Sequence, residues 1–208
     1  MNFTHFTDKI DHLKVVKLGG LEAQFKMAPN LRLRYDKDKI AANNPRKAAV
    51  LALFYPNKKN ETTLLLTQRA SYKGTHSAQI SFPGGKIEKS DKNLQETALR
   101  ETHEEIGISA ENITVLGTLP TYHTVTGYHI TPVLGFIKPQ LQYCLDTNEV
   151  AEIFHVPLNH FLNSKNHITL SIYRNLVNHP VYFMPYKHYN IWGVTAAILK
   201  KLSEQLQS

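Results

Sequence analysis

Two largely apolar runs separated by a short polar connection stand out in the first third of the chain. Residues 48–55 (AAVLALFY) are apolar without interruption, and residues 62–68 (TTLLLTQ) form a second run. The connection PNKKNE contains proline and asparagine, which favour turns. Short apolar runs bounded by turn residues predict buried strands, so this region indicates a hairpin or two adjacent strands.

The same reading predicts further elements on both sides of these strands. Strands are expected at 113–118, 129–137, 168–174 and 179–185, the last two forming a second hairpin. The other expected elements are a short helix at 4–14, a short apolar segment at 149–157, a helical turn at 157–163, an amphipathic helix at 190–206, and loops at 70–79 and 120–127. Because strands and helices do not alternate regularly, the pattern favours an α+β fold.

An acidic helix is predicted to end at residue 107. Ser90 or Asp91 is the expected N-cap, and Gly107 stands where a glycine commonly ends a helix. The less polar positions of this helix recur at helical spacing, and we expect them to pack on a sheet. They are Leu94, Ala98, Leu99, Thr102 and Ile106.

Three glutamates of this helix carry the candidate chemistry. Glu101, Glu104 and Glu105 stand at i, i+3 and i+4, which puts three carboxylates on one face about one turn apart. Like charges repel there, and a divalent cation would offset that repulsion. Mg²⁺ takes oxygen ligands, commonly carboxylates together with substrate phosphates. Because Gly84 and Gly85 let a loop approach a ligand closely, the pattern predicts a metal-dependent enzyme that cleaves a diphosphate.

Size and charge are those of one globular domain with an affinity for anions. The chain has 208 residues, 42% hydrophobic and 20% charged, with a net charge of +7 and a pI of about 9.4. A basic surface attracts nucleic acid or a substrate with several phosphates, although a basic surface without a specific role is an equally good interpretation. The Lys and Arg residues are scattered, which argues against a nucleic-acid tail.

The expected location is the cytoplasm. Cys144 is the single cysteine, which excludes an internal disulfide and fits a reducing compartment. No apolar run approaches the roughly 18 residues of a membrane span, and the N-terminal residues have no apolar signal-peptide core. We therefore expect a cytoplasmic protein that does not act on membranes, and a homodimer is left open.

One stretch of the sequence resembles a known signature. The run Gly85…Arg100-Glu101-x-x-Glu104-Glu105-x-Gly107 resembles the Nudix box of hydrolases that act on nucleoside diphosphates linked to another group. In the usual box an acidic residue lies six positions after the glycine and the arginine eight positions later. Here Asp91 lies six after Gly85 but Arg100 follows nine later. This spacing, longer by one residue, resembles that of the coenzyme A pyrophosphatase branch of the family.

Segments outside the box are similar to the same branch. Residues 65–70 (LLTQRA) and 82–85 (FPGG) resemble its upstream motif, LLTxR[S/A]…FPGG. Two positions depart from it: Gly74, beside Lys73, stands where the branch has a basic residue, and Ala78 replaces a glycine. Two downstream segments, 148–152 and 191–196, also look like the branch.

The resemblance implies a fold and a reaction. The fold would be a Nudix-type mixed β-sheet sandwiched between α-helices with a loop–helix–loop catalytic motif, residues 46–208 forming the domain and 1–45 an extension packed on it. The reaction would be Mg²⁺- or Mn²⁺-dependent hydrolysis of coenzyme A or a derivative to 3′,5′-ADP and 4′-phosphopantetheine or its acyl form. The alternatives are another nucleoside diphosphate derivative (an ADP-sugar, a dinucleoside polyphosphate or a capped RNA) and a non-catalytic binding module of the same shape.

Chemical roles follow for the box residues. Glu101 and Glu105, one turn apart, are the expected metal ligands, and Glu104 is either a third ligand or the base that takes a proton from water. Arg100 is expected to bond a box carboxylate and hold its rotamer, with a solvent-facing arginine as the alternative.

Substrate contacts are expected upstream of the helix. Gly84 and Gly85 would expose backbone amides to a phosphate or form a type II turn after Pro83. Arg69, at the end of a predicted strand, would contact a substrate phosphate through its forked guanidinium or form a surface salt bridge.

The remaining polar and aromatic candidates are weaker. Glu149 and Glu152 are candidates for an additional carboxylate, as base or ligand, with solvated loop residues as the favoured interpretation. The histidines, among them His155 and His160, lack zinc-type spacing with cysteine and are read as surface or packing residues. Trp192 and the aromatics of 182–189 are read as core in preference to an adenine-stacking surface.

Overall fold

The computed structural model describes residues 1–13, 45–70, 79–124, 127–138, 142–174 and 177–207. The helices in these ranges are α1 (Phe3–Leu13), α2 (Leu94–Ile106), α3 (Leu158–Leu162) and α4 (Gly193–Gln207). The strands are β1 (Arg46–Pro56), β2 (Thr62–Arg69), β3 (Ile80–Ser81), β4 (Gly84–Lys86), β5 (Thr114–Thr118), β6 (Tyr122–His123), β7 (Tyr128–Phe136), β8 (Val150–Pro157), β9 (Ile168–Arg174), β10 (Val177–Tyr186) and β11 (Tyr189–Trp192). Single 3₁₀ turns lie at Ala110–Asn112 and Ser164–Asn166.

The first eight strands form one mixed sheet with β1 at its centre. β1 runs parallel to β7 along its length, and it pairs antiparallel with β4 near its start and with β2 near its end. β2 extends the sheet through β3 and β8, and β7 extends it through β5 and β6. The predicted pair of neighbouring strands and the mixed α+β sheet are therefore confirmed.

Both faces of this sheet are covered, which explains the uninterrupted apolar run in β1. Alternate residues enter two separate clusters, so that Phe54 lies on one face and Leu53 on the other, each fully buried. We call the side against α1, α3 and α4 the α4 face; its core includes Phe6, Ala52, Phe54, Leu64, Leu66, Leu134, Phe161 and Leu199. We call the side against α2 the α2 face; its core includes Ala49, Leu51, Leu53, Leu65, Ala98, Ile106 and Val133.

The last three strands form a separate antiparallel sheet in the order β11-β10-β9. The predicted second hairpin is confirmed, but the predicted start of the C-terminal helix at residue 190 is wrong. Residues 189–192 pair with β10, because Ile191 is buried opposite Met184, and Gly193 at φ +65° begins the helix. The core assignment is correct for Tyr182, which is 8% exposed, and wrong for Trp192, which is 45% exposed.

Two other local predictions need correction. The N-cap of α2 is Asn93, whose side chain accepts hydrogen bonds from the backbone N–H groups of Gln95 (2.9 Å) and Glu96 (3.0 Å), so neither Ser90 nor Asp91 has that role. The expected loop at 120–127 contains the short strand β6. The predicted end of the helix at Gly107 is confirmed, with φ +71°.

Some predictions fall outside the described residues, among them those on Lys73, Gly74 and Ala78. Phe3 and Phe6 of α1 are buried in the α4-face core, while the domain boundary at residue 45 stays a prediction. No helix of the described part is long and apolar enough to cross a membrane.

Candidate active site

The glycine pair of β4 allows β4 to approach both β1 and α2 closely. Gly84 and Gly85 pair with Val50 and Ala49 of β1. A Cβ on Gly84, where φ is +146°, would overlap the β1 backbone, and a Cβ on Gly85 would overlap the carboxylate of Glu101. What these glycines admit in this structure is a glutamate of α2, and their predicted close approach to a ligand stays a prediction.

The three glutamates of α2 differ in their surroundings. Glu105 is 4% exposed, and its Oε2 accepts a hydrogen bond from the Gly84 N–H at 3.2 Å. The Glu101 side chain is 16% exposed and lies against Gly85, whereas that of Glu104 is 54% exposed. The helix therefore directs two carboxylates toward the sheet and one toward solvent.

Burial opposes ionisation of the two inner carboxylates. Burial raises the pKa of Glu105 to about 7, against the lowering effects of the Gly84 N–H and Arg69. The pKa of Glu101 is also raised, first by burial and against its bonds to Arg100. Repulsion from Glu149 contributes to both shifts. Glu101, Glu105 and Glu149 therefore lie close enough to repel one another.

Arg100 ties the helix to the loop before it. Its Nε and Nη2 donate to the two oxygens of Asp91 at 2.9 and 3.0 Å, and Nη2 also donates to the carbonyl of Lys86 at 3.0 Å. Its Nη1 donates to Glu101 Oε1 at 3.1 Å and Glu104 Oε2 at 2.9 Å. The predicted bond from Arg100 to a box carboxylate is confirmed.

Asp91, which entered the sequence analysis through its spacing and as a candidate N-cap, is the main structural partner of Arg100. The main cause that holds the pKa of the Asp91 carboxyl well below its usual range is its bidentate bond to Arg100. The Glu88 N–H and the Thr97 hydroxyl also donate hydrogen bonds to this carboxylate. The acidic position at fixed spacing before Arg100 was the available signal.

Glu149 lies immediately before β8, and Glu152 lies within that strand. The Ala70 N–H donates to the Glu149 carbonyl at 2.8 Å, which holds that turn beside the end of β2. Glu152 stands opposite Gln68, two residues before Phe154 of the α4-face core, and accepts a hydrogen bond from the Tyr189 hydroxyl at 2.8 Å. The register shift after Gln68 separates the two glutamates, and only Glu149 contributes to the shifts of the inner carboxylates.

Arg69 ends β2 beside the same cluster. Its charge lowers the pKa of Glu105, and its buried Nε has no hydrogen-bond partner among the described residues. A buried guanidinium N–H without an acceptor favours an anion at this position.

Comparison with known proteins decides the family. A family model described as NUDIX domain matches residues 45–171. The chain is 39% identical over 176 residues to a protein of Enterobacter sp. (strain 638) named Uncharacterized Nudix hydrolase NudL, covering 85% of this chain and 89% of that protein. It is 41% identical over 163 residues to the protein of that name from Citrobacter koseri, covering 78% and 84%. The chain belongs to the Nudix hydrolase family.

A solved Nudix structure supports the fold. The NUDIX domain of Shewanella oneidensis NrtR, solved with ADP ribose, matches with a TM-score of 0.51 at 18% identity, over 86% of this chain and 97% of that chain. The predicted enzyme class is thus confirmed as a Nudix hydrolase that acts on a diphosphate substrate.

Nudix hydrolases generally use divalent metal ions, and the donor chemistry here suits such an ion. Within the described ranges, no group of three or more His, Cys, Asp or Glu side chains is already arranged to hold a metal. Glu101 and Glu105 nevertheless offer carboxylate oxygens, the donors that hard cations take. A cation there would relieve the repulsion among Glu101, Glu105 and Glu149.

Proposed function

We propose that this Nudix hydrolase cleaves the diphosphate bond of coenzyme A or its derivatives with Mg²⁺ or Mn²⁺. The products would be 3′,5′-ADP and 4′-phosphopantetheine or its acylated form. The observation that carries the hydrolytic part is the convergence of Glu101, Glu105 and Glu149 with Arg69 at the glycine pair. The similarity of residues 65–70 and 82–85 to the coenzyme A branch supports the substrate.

The metal ligands in this proposal are Glu101, Glu105 and Glu104. The bound ion would neutralise charge that develops on the phosphate oxygens and lower the pKa of a coordinated water. Glu104 can join Glu101 and Glu105 only by leaving Arg100, because its carboxylate now bonds that guanidinium on the solvent side of α2. Arg100 keeps Glu101 oriented through its bonds to Asp91.

The substrate would lie between β2 and the glycine pair. Arg69 would donate to a phosphate oxygen, since its buried Nε lacks an acceptor in the described residues. Gly84 and Gly85 add no side chain there, which leaves room for the Glu101 carboxylate beside Gly85. Glu149 is a second candidate beside Glu104 to receive a proton from the attacking water, because its charge acts on both inner carboxylates while its side chain is exposed to water. The single cysteine of the chain, Cys144, suits an enzyme of the reducing cytoplasm.

Product analysis with coenzyme A in ¹⁸O-labelled water tests the proposal. With Mg²⁺ we expect 3′,5′-ADP and 4′-phosphopantetheine, with the label in one product only, which identifies the attacked phosphorus. A parallel panel of ADP-ribose, a dinucleoside polyphosphate and capped RNA tests the alternatives. Equal turnover of ADP-ribose and coenzyme A would overturn the coenzyme A specificity, and no turnover of any substrate would favour a binding module.

A further inference from the structure

The chain just before β8 is bonded to both of the elements that border the carboxylate cluster. On one side, the Asp146 N–H donates a hydrogen bond to the Glu105 carbonyl of α2 at 3.0 Å. On the other side, the Ala70 N–H, directly after β2, donates to the Glu149 carbonyl at 2.8 Å. We call residues 146–150 the bridging turn, because they connect the helix that carries Glu105 to the end of β2.

Asp146 is the centre of the hydrogen bonds within the bridging turn. Its carbonyl accepts from the backbone N–H groups of Glu149 at 3.1 Å and Val150 at 2.8 Å. Its Oδ1 accepts from the backbone N–H and from the side-chain Nδ2 of Asn148, each at 2.9 Å. A side-chain oxygen that accepts from the backbone two residues on is the means by which Asp and Asn fix a turn. Because the Asp146 N–H also bonds Glu105, all three polar parts of this residue hold the turn in place.

The bridging turn determines where the Glu149 carboxylate lies. The Glu149 side chain is exposed to water, and its carbonyl is held at the end of β2 beside Arg69. Burial first, and then the charges of Glu101 and Glu149, raise the pKa of Glu105. Because a side chain can reach only the space around its own Cα, the backbone bonds of the turn keep this carboxylate near the inner pair.

We propose that Asp146 is a positioning residue for the hydrolytic reaction: by fixing the bridging turn, it keeps the Glu149 carboxylate directed at the attacking water. This inference rests on the proposed function, in which Glu149 is a candidate to receive the proton of that water. The water oxygen forms its bond to phosphorus, the bridging oxygen leaves with the bonding electrons, and the proton passes to Glu149. A base must lie within hydrogen-bond reach of the water, so a displacement of about 1 Å costs turnover. Asp146 needs an acceptor oxygen for this role, but not its charge.

Two substitutions at Asp146 separate positioning from a role of its charge. Asp146→Ala removes the acceptor for both bonds from Asn148 and should lower kcat about tenfold, with KM within about twofold of wild type. Asp146→Asn keeps an acceptor oxygen and should restore kcat to within about twofold. The matched control is Asn57→Ala, because Asn57 Oδ1 accepts from the N–H groups of Lys59 and Glu61 in the turn at the other end of β2. This control should leave kcat unchanged, and an equal fall of kcat in both Asp146 variants would overturn the positioning role.

A double-mutant cycle tests whether Asp146 acts through Glu149. Glu149→Gln should lower kcat about 100-fold. Adding Asp146→Ala should lower it by less than about twofold further, because the group that the turn positions no longer accepts the proton. A further tenfold fall in the double variant would overturn the inference, as would wild-type turnover by Glu149→Gln. The cycle is measured on coenzyme A and on ADP-ribose, so that cleavage of ADP-ribose alone would contradict the coenzyme A proposal and still test Asp146.

Hydrogen exchange tests the turn without any turnover. Asp146→Ala should speed exchange of the Glu149 and Val150 N–H groups about tenfold, because both donate to the Asp146 carbonyl. Asp146→Asn should leave both rates within about twofold of wild type. Unchanged exchange in Asp146→Ala would show that this side chain does not fix the turn, whatever substrate the protein cleaves.

Discussion

The two faces of the central sheet are built from the same strands but hold different kinds of group. On the α4 face, alternate residues of β1 and β2 pack against aromatic and aliphatic side chains of α1, α3 and α4. On the α2 face, a similar apolar cluster is bordered by Glu101 and Glu105. Burial and mutual repulsion raise the pKa of both carboxylates. The α4 face therefore mainly stabilises the fold. On the α2 face, keeping Glu101 and Glu105 close together lowers the free energy of unfolding.

The bonds around Arg100 explain how the second face tolerates those charges. The guanidinium bonds Asp91 and two glutamates, while the Gly84 N–H donates to Glu105. These charge-assisted bonds offset part of the desolvation of the carboxylates. Substitutions on the α4 face should then act on the free energy of unfolding, and substitutions at the carboxylate edge of the α2 face should act on turnover.

The largest expected effect is the loss of a core aromatic on the α4 face. Phe54→Ala should lower the free energy of unfolding by about 3–5 kcal/mol, because Phe54 is fully buried against Phe6 and Phe161. Urea denaturation measures the loss, and kcat of the folded fraction should stay within about twofold of wild type.

The neighbouring residue provides the matched comparison. Leu53→Ala should also destabilise, by about 2–5 kcal/mol, but should lower kcat as well, because Leu53 lies in the cluster with Ala98 and Ile106 of α2. Phe54→Leu serves in place of Phe54→Ala if that variant does not fold. A similar fall of kcat at positions 53 and 54 would contradict the division between the faces.

Turnover should depend most strongly on Glu105. Glu105→Gln should lower kcat by about 100-fold or more, equivalent to about 2.7 kcal/mol, because it removes the charge of a proposed metal ligand. Steady-state kinetics in saturating Mg²⁺ measure the change. Glu152→Gln is the control, since Glu152 bonds Tyr189 away from the cluster, and it should leave kcat nearly unchanged. Wild-type turnover by Glu105→Gln would remove the ligand role.

The sequence predicted the parts of the fold that depend on local pattern. Strands β1 and β2 carried a continuous apolar run because both faces are covered, and α2 carried helical spacing and a terminal glycine. The pattern missed β11 because Ile191 is buried by pairing with β10, a contact between strands that an apolar run alone does not reveal. It missed Asn93 as the N-cap because Ser90 and Asp91 have equally suitable side chains.

The candidate site also contains features that local sequence pattern predicts and features that it does not. The spacing of Glu101, Glu104 and Glu105 predicted one common helix face, but only Glu101 and Glu105 point toward the sheet, while Glu104 bonds Arg100 on the solvent side. The choice between Glu149 and Glu152 could not be made from sequence, because it depends on a register shift in β2.

The link between loop and helix should show in the pH dependence of stability. Asp91→Asn should lower the free energy of unfolding by about 2 kcal/mol near neutral pH, because it weakens two charge-assisted bonds to Arg100. The folded pKa of Asp91 lies below its unfolded value, so its contribution is complete above about pH 4 and declines as pH falls through the folded pKa.

Urea denaturation of both proteins between pH 7 and pH 2 measures this dependence. The difference between wild type and Asp91→Asn should shrink as the pH falls. Glu96→Gln, which weakens an exposed ion pair between the first turn of α2 and Lys92 just before it, should cost at most about 0.5 kcal/mol. A difference that stays constant down to pH 2 would show that the charge of Asp91 is not what stabilises the loop.

The smallest effect concerns the end of α2, where the helix meets the turn that leads to Glu149. Gly107→Ala should cost more than about 1 kcal/mol, because φ is +71° and the new Cβ would lie 2.9 Å from the Cys144 carbonyl. Gly127→Ala places alanine at φ +80° with no atom of the described residues within 4 Å beyond its chain neighbours, so it carries the backbone strain without the contact. Thermal denaturation should therefore show a lower Tm for Gly107→Ala than for Gly127→Ala.

Only Gly107→Ala should also reduce kcat, because displacing the chain at Cys144 moves the turn that holds Glu149 beside the inner carboxylates. Equal Tm shifts with unchanged kcat would mean that this end of the helix belongs, in its energetics, with the purely structural α4 face.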